Sequence, residues 1–525
     1  MNWALAKPLS RRAFFAIGAS LAGVSAMLPS RGDAAAKAGK GAALSLEDLA
    51  RRAAVMAAAA YVAPPDTSPR TLRGLSDKQW QAIRFRSAKA LRSGAHSPYR
   101  VELLQRGGPW PQAMTVNTIR NGIATPVPYL ADMFDFGSVP KPAHLPINFG
   151  FAGFRLMGPL SAPSSLDNLL ECRGGGQFRF FGRNQTAGTI CQALSKPDDA
   201  TASGAGYFRD VWIGASDADA DHVTFLALLD GPSATGAFQF ELYPGERSTL
   251  MATATLFARR VGVKFGLAGL ASLFMNGEND QRVRDAFRPE VHQADGLLIH
   301  GVSGEFLWRP LHNPAAQLVS SFAATDVKGF GLMQRDRHFS HYMSIGGAYQ
   351  TCPSYWIEPI EGFGAGRIEL VEAPAPDAAQ ANIFASFQPE ADAVPGEALH
   401  LRYRITATSN HPHLSPGGRA VNSFITPLPV PPQQNDKIAR RIRVDFVGDE
   451  LAWFGQDAST IKVKASADGA EIMKASGEAN PALKGYRAMV DLAIPVGASV
   501  NLRIFLSAAG RTLTETWTFP LEGAL

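Results

Sequence analysis

Cysteine is scarce in this chain: Cys172, Cys191 and Cys352 are the only three among 525 residues. That is too few for a disulfide-dependent fold, and their spacing fits no zinc motif. The odd count leaves one thiol unpaired or all three reduced, with Cys172 and Cys191 the only pair close in sequence. Charge is sparse too, at 18% of residues, and the formal net charge is +5. Lys7, Arg11, Arg12 and Arg31 against Asp33 account for +3 of it, leaving +2 for the rest of the chain. A balance this close to neutral argues against nucleic acid as a partner. No later stretch approaches about 18 uninterrupted apolar residues, so no membrane span is expected. The generic catalytic signatures are missing: there is no Gly-x-Ser-x-Gly elbow and no His-Glu-x-x-His. Gly174-Gly175-Gly176 lacks the Lys-Ser/Thr of a phosphate loop and reads as a turn. His338 and His341, three apart, read as a structural pair, and neither a metal nor another cofactor is expected.

What is present begins with an address. Ser10-Arg11-Arg12-Ala13-Phe14-Phe15 is a paired-arginine motif, followed by a modestly apolar run from Phe14 to Leu28 and the small residues Ala34-Ala35-Ala36. Residues 1–36 therefore read as a twin-arginine signal peptide, which sends the mature protein to the periplasm.

Helical signals come early. Ser45-Leu46-Glu47-Asp48 reads as a capping box, with Leu46, Leu49, Ala53, Met56 and Ala60 following at helical spacing. A second short helix is expected from Ser76, with Gln79 at the box position. Beyond that the period changes to two. Val223–Leu229 and Ala237–Leu242 flank turn residues and predict a hairpin. Further strands are expected at Leu250–Ala258, Gly304–Trp308, Gly329–Gln334 and Arg367–Val371. Pro389 to Gly396 has the composition of an interdomain linker. After it, strands are expected at Leu399–Ile405, Ile442–Phe446, Ile461–Ala465, Tyr486–Ile494, Val500–Leu506 and Leu513–Phe519. The expected fold is all-β: a large sandwich over residues 44–388 and a small immunoglobulin-like sandwich over 396–525.

A band between Arg288 and Pro359 concentrates polar and aromatic residues: His292, Asp295, Trp308, Arg309, Arg335, Asp336, His341, Tyr342, Tyr349, Trp356 and Glu358. Aromatic faces stack on sugar rings, while carboxylates, guanidinium groups and imidazoles bond hydroxyls in fixed directions, so this mixture suits an oligosaccharide cleft. The same residues would equally serve as the core and salt-linked rim of a sandwich.

Several segments carry a closer likeness. Leu228-Leu229-Asp230-Gly231-Pro232, Arg288-Pro289-Glu290-Val291-His292, Trp308-Arg309-Pro310-Leu311-His312-Asn313-Pro314, Lys328 through Arg337 with Phe339-Ser340-His341-Tyr342, and Pro353-Ser354-Tyr355-Trp356 resemble, in order, the periplasmic glucans biosynthesis proteins of the G and D types. The twin-arginine leader favours the D type. The resemblance implies a galactose-mutarotase-like sandwich with a cleft, joined to the immunoglobulin-like one, acting on β-1,2-linked glucan made by a membrane glucosyltransferase. For the D type it further implies an inverting hydrolase or transglycosylase, which needs a proton-donating carboxyl and a water-activating carboxylate. The family pattern places one Asp directly after the motif histidine and another before an Asn-Ile pair. This chain has Gln293 and Ala381 at those places. Gln cannot take up a proton and Ala can do nothing. Asp295 and Asp377 are the nearest carboxylates that could substitute. The expected function is binding of β-1,2-glucan and control of its backbone. The alternatives are an active hydrolase or transglycosylase using displaced carboxylates, and a non-catalytic assembly partner of the glucosyltransferase.

Overall fold

A computed structural model describes residues 44–523 apart from 95, 121, 143, 196–205, 218, 279–286, 410–413, 416, 430–435 and 455–458. The expected leader lies outside the described residues. The fold is all-β, as expected, with two large sheets and a third, four-stranded one. Among the described residues no helix is long and apolar enough to cross a membrane.

The larger sandwich packs a 10-stranded sheet against part of a 15-stranded one. Strands alternate inward apolar and outward residues, and the inward ones meet as a continuous core. Phe154 meets Phe225 with ring centroids 5.4 Å apart, and Phe178 meets Phe240 at 5.2 Å. The predicted hairpin forms from Val223–Asp230 and Ala234–Tyr243, with a tighter turn than the sequence indicated because Asp230 already pairs with Thr235. The first helix, Leu46–Ala58, has the predicted capping box at Ser45. Its Leu49, Ala53 and Ala57 pack on the outer face of that hairpin against Leu226, Leu228 and Ala237. The helix expected from Ser76 forms over Asp77–Ala82, after a short one at Arg70–Arg73, and is boxed by Ser76 and Gln79 in the same way.

The segment from Pro389 to Gly396 is a turn within the sandwich. Ala398–Thr408, placed by its sequence after the linker, lies in the middle of the larger sheet between Ser248–Ala258 and Ser354–Glu361. Its Leu401, Tyr403 and Ile405 are buried in the large core. That strand, expected to open the unit at 396–525, thus pairs within the larger sheet. Proline and glycine before it serve a turn that returns the chain to its own sheet.

Beyond Thr408 the strands Arg419–Leu428, Lys437–Val447, Gly485–Pro495 and Glu471–Asn480 form the four-stranded sheet, in that spatial order. A second layer, Lys462–Ala467, Ser499–Ala508 and Thr516–Glu522, continues the 15-stranded sheet. The join is a parallel pairing of Leu307 with Thr516 and Trp308 with Trp517. The C-terminal core accordingly includes Leu298, Trp308, Met333 and Trp356 from the first sandwich.

Cys172 and Cys191 both pair with Phe178, from the strands on either side of it. Two strand spacings put their Cα atoms roughly 9.5 Å apart, beyond the ~7 Å that a disulfide tolerates. All three cysteines are free and buried.

Candidate functional site

A cleft opens where the two sandwiches meet. Phe274, Glu278, Glu290, His292, Asp295, Trp308, Arg335 and Asp336 line it from one side, and Ala420, Val421, Asn422, Ser423 and Trp517 from the other. The strands Val291–His292 and Gly296–His300 deliver the motif histidine and Asp295, and the chain leaving Gly329–Met333 delivers Arg335 and Asp336.

His292 is the centre of the polar network. Its Nε2 lies 2.7 Å from Glu290 Oε2, and its Nδ1 lies 3.2 Å from Asp295 Oδ1 and 3.1 Å from Gln334 Oε1. The ring stacks on Phe274 with centroids 5.2 Å apart. Burial alone would lower the imidazole pKa, but Asp295 and Glu290 outweigh it and push the value up to about 9. The residue is thus an imidazolium that donates through both nitrogens.

Asp295 accepts the backbone N–H of Asp336 at 2.8 Å and that of Arg335 on the same oxygen. Burial raises its pKa, against the lowering effect of His292 and the two N–H donors. Glu278 lines the same cleft. Its carboxyl accepts the Ser423 N–H at 2.8 Å and, with the Asn422 amide turned so that both ends are satisfied, the Asn422 nitrogen at 3.0 Å. Glu278 is exposed overall, but its carboxyl end is enclosed by the cleft walls. That burial, with Glu290, Asp295 and Asp336 nearby, pushes its pKa up to about 8.

Arg335 ties the two walls together. Its guanidinium lies 3.5 Å from the centroid of the Trp308 ring, bonds both oxygens of buried Glu515 at 2.6 and 2.9 Å, and donates to the Ala420 carbonyl at 2.8 Å. Asp336 holds the half-exposed His341 by Nδ1 at 2.5 Å. Glu290, Asp336 and His341 each present a ligand atom within 4.8 Å of the others, a possible metal grouping among the described residues. Glu290 and Asp336 are already engaged by His292 and His341.

Of the residues expected in a sugar site, the cleft lining unites His292, Asp295, Arg335 and Asp336, with Trp308 from the same band. His341 sits behind Asp336. Tyr342 is fully buried; its hydroxyl donates to the Asp336 carbonyl at 3.2 Å and accepts from Gln334 at 2.8 Å. Tyr349 packs against Tyr342 in the same small core. Trp356 is buried in the C-terminal core, and Arg309 is buried against Glu372 at 2.6 Å. Glu358 pairs with Arg404 on the surface. These last five residues support the fold and do not line the cleft. Gln293 and Ala381 are also absent from the lining, and Asp377 is exposed elsewhere.

The sequence reading missed Phe274, Glu278, Asn422, Ser423, Glu515 and Trp517. The last four lie more than sixty residues beyond the polar band, and no local pattern announces a partner at that range. Glu290 was visible within Arg288-Pro289-Glu290-Val291-His292 but was not singled out.

An all-β protein with an acidic cleft between two sandwiches, built around a carboxylate-flanked imidazolium, is the class that this architecture defines. The chain belongs to the family described as Periplasmic glucan biosynthesis protein, MdoG, whose model matches residues 44–521. It is 37% identical over 488 residues to the "Glucans biosynthesis protein G" of Ralstonia nicotianae, covering 91% of this chain and 96% of that one. It is 34% identical over 470 residues to the "Probable glucans biosynthesis protein D" of Shewanella oneidensis, covering 88% and 86%. The two names occur at similar identity and do not separate the G and D types.

Proposed function

We propose that this protein is exported to the periplasm by the twin-arginine route, takes part in glucan biosynthesis there, and binds β-1,2-glucan in the cleft between its sandwiches. The observation that carries the reading is the His292 imidazolium bonded to Glu290 and Asp295, with Asp336 and Glu278 in the same cleft lining. Carboxylates fixed by such a network accept hydroxyl hydrogen bonds in set directions. Family membership supports the compartment and the class of ligand. Titration of the mature protein with linear β-1,2-glucan is expected to give saturable binding. No binding at millimolar glucan would end the proposal.

A second reading, hydrolysis of the same glucan, is favoured by one observation: two cleft carboxyls differ in environment. Glu278, pushed up to about 8, holds a proton at neutral pH. Burial raises the pKa of Asp295 too, but an imidazolium and two backbone donors, which Glu278 does not share, favour its anion. An acid and a base of this kind are what inversion requires. In that reading Glu278 protonates the departing glycosidic oxygen and Asp295 takes the proton of the attacking water. New reducing ends, abolished by Asp295→Asn and by Glu278→Gln, are expected. Cleavage that persists in both variants would remove these residues from the chemistry.

A further inference from the structure

A second groove opens on the C-terminal sandwich, where Glu471–Asn480 turns into Gly485–Pro495, and its volume is about 460 Å³. Ligand sites commonly occupy about 300–1,000 Å³, and the groove falls within that range. Asn422 lines both spaces, so the two adjoin along the strand Arg419–Leu428.

The groove has two kinds of wall. Asp445 is buried and accepts two bonds from the Arg487 guanidinium, each of 2.7 Å, and one of 3.2 Å from the Asn480 amide. These side chains are therefore held in place before any ligand arrives. Beside them Pro481, Ala482 and Leu483 form an exposed apolar shelf, with the Glu478 carboxylate at its edge. Two carboxylates against one guanidinium disfavour an anionic ligand such as a phosphate or a nucleic acid. Fixed polar groups beside a small apolar shelf match an uncharged, hydroxyl-rich ring.

We propose that this groove is an accessory carbohydrate subsite, taking the part of a β-1,2-glucan chain that projects beyond the cleft. The proposal rests on the glucan-binding reading above. A homopolymer offers the same hydroxyl pattern in each unit, so a chain anchored in the cleft meets the groove after passing Asn422. Joining two weak contacts through one chain raises the overall affinity.

The test is calorimetric titration with linear β-1,2-glucooligosaccharides of defined length, using the wild type and the Glu478→Ala, Leu483→Ala double variant. Both positions are exposed and lie outside the cleft lining. Wild-type affinity is expected to rise at least tenfold from the shortest bound oligomer to a long one. The double variant should lose that gain, bind the short oligomer as the wild type does, and melt at the same temperature. Ala482→Arg, which fills the groove instead of emptying it, should lose the gain as well. Length dependence retained in both variants, or absent from the wild type, would overturn the subsite while leaving glucan binding in place. A wild type that binds no β-1,2-glucan of any length would overturn both.

Discussion

His292 donates to two carboxylates from a fully buried position, and the sign of its pH dependence follows from its raised pKa. The folded state holds the imidazole proton more tightly than the unfolded chain does. Its contribution to stability is thus complete below about 6.5 and is lost as the pH climbs through about 9. Glu278, raised from 4.5 to about 8, acts in the same direction over an earlier window. The melting temperature should fall between pH 6.5 and 9, and His292→Gln should flatten the fall; a rise over that window would contradict the assignment. Depth of burial separates residues that look alike as letters. Arg309→Ala leaves the Glu372 carboxylate buried without its guanidinium and should cost about 3–5 kcal/mol in denaturant unfolding. Glu358→Ala breaks a solvent-exposed pair with Arg404 and should cost about 0–1 kcal/mol. Trp356→Ala should cost about 3–5 kcal/mol by opening a cavity in the C-terminal core. Arg309, Trp356 and Glu358 all stood in the polar-aromatic band, because a sequence displays charge and ring type but not how far each lies from water.

The strand Gly329–Met333 brings Arg335 and Asp336 to the cleft, and its glycines allow the neighbouring strand to come close. A Cβ at Gly331 would lie 2.1 Å from the Tyr355 carbonyl oxygen, which is backbone and cannot swing aside. Gly331→Ala should therefore cost about 1–3 kcal/mol in denaturant unfolding and weaken glucan binding along with it. Unchanged stability would show that the strand pair yields more easily than its geometry indicates. Elements with local signatures were legible: the capping boxes at Ser45 and Ser76, and the alternation in Ala234–Tyr243. Arg419–Leu428 and Glu471–Asn480 were not. Both are edge strands of the four-stranded sheet, where one side faces water and tolerates Pro427, Lys474 and Glu478, so the period-two signal fades.

Across the whole molecule, the two sandwiches share a sheet through the pairing of Trp308 with Trp517, and the cleft lies along that join. The all-β class and the polar half of the cleft could be read from the chain because the residues from Arg288 to Asp336 are close in sequence. The opposite wall could not, since Asn422, Ser423 and Trp517 arrive only through the register of distant strands. The place of Ala398–Thr408 was hidden for a related reason: Pro389 to Gly396 has the composition of a linker, and only long-range pairing returns the strand to the larger sheet. Calorimetric titration of linear β-1,2-glucan into the mature wild type and an Asp336→Ala variant tests most directly whether glucan occupies this cleft. The wild type should bind saturably, and the variant at least tenfold more weakly with its fold intact, a difference of about 1.4 kcal/mol. Equal binding by the two proteins, or none by either, would contradict the cleft as the glucan site.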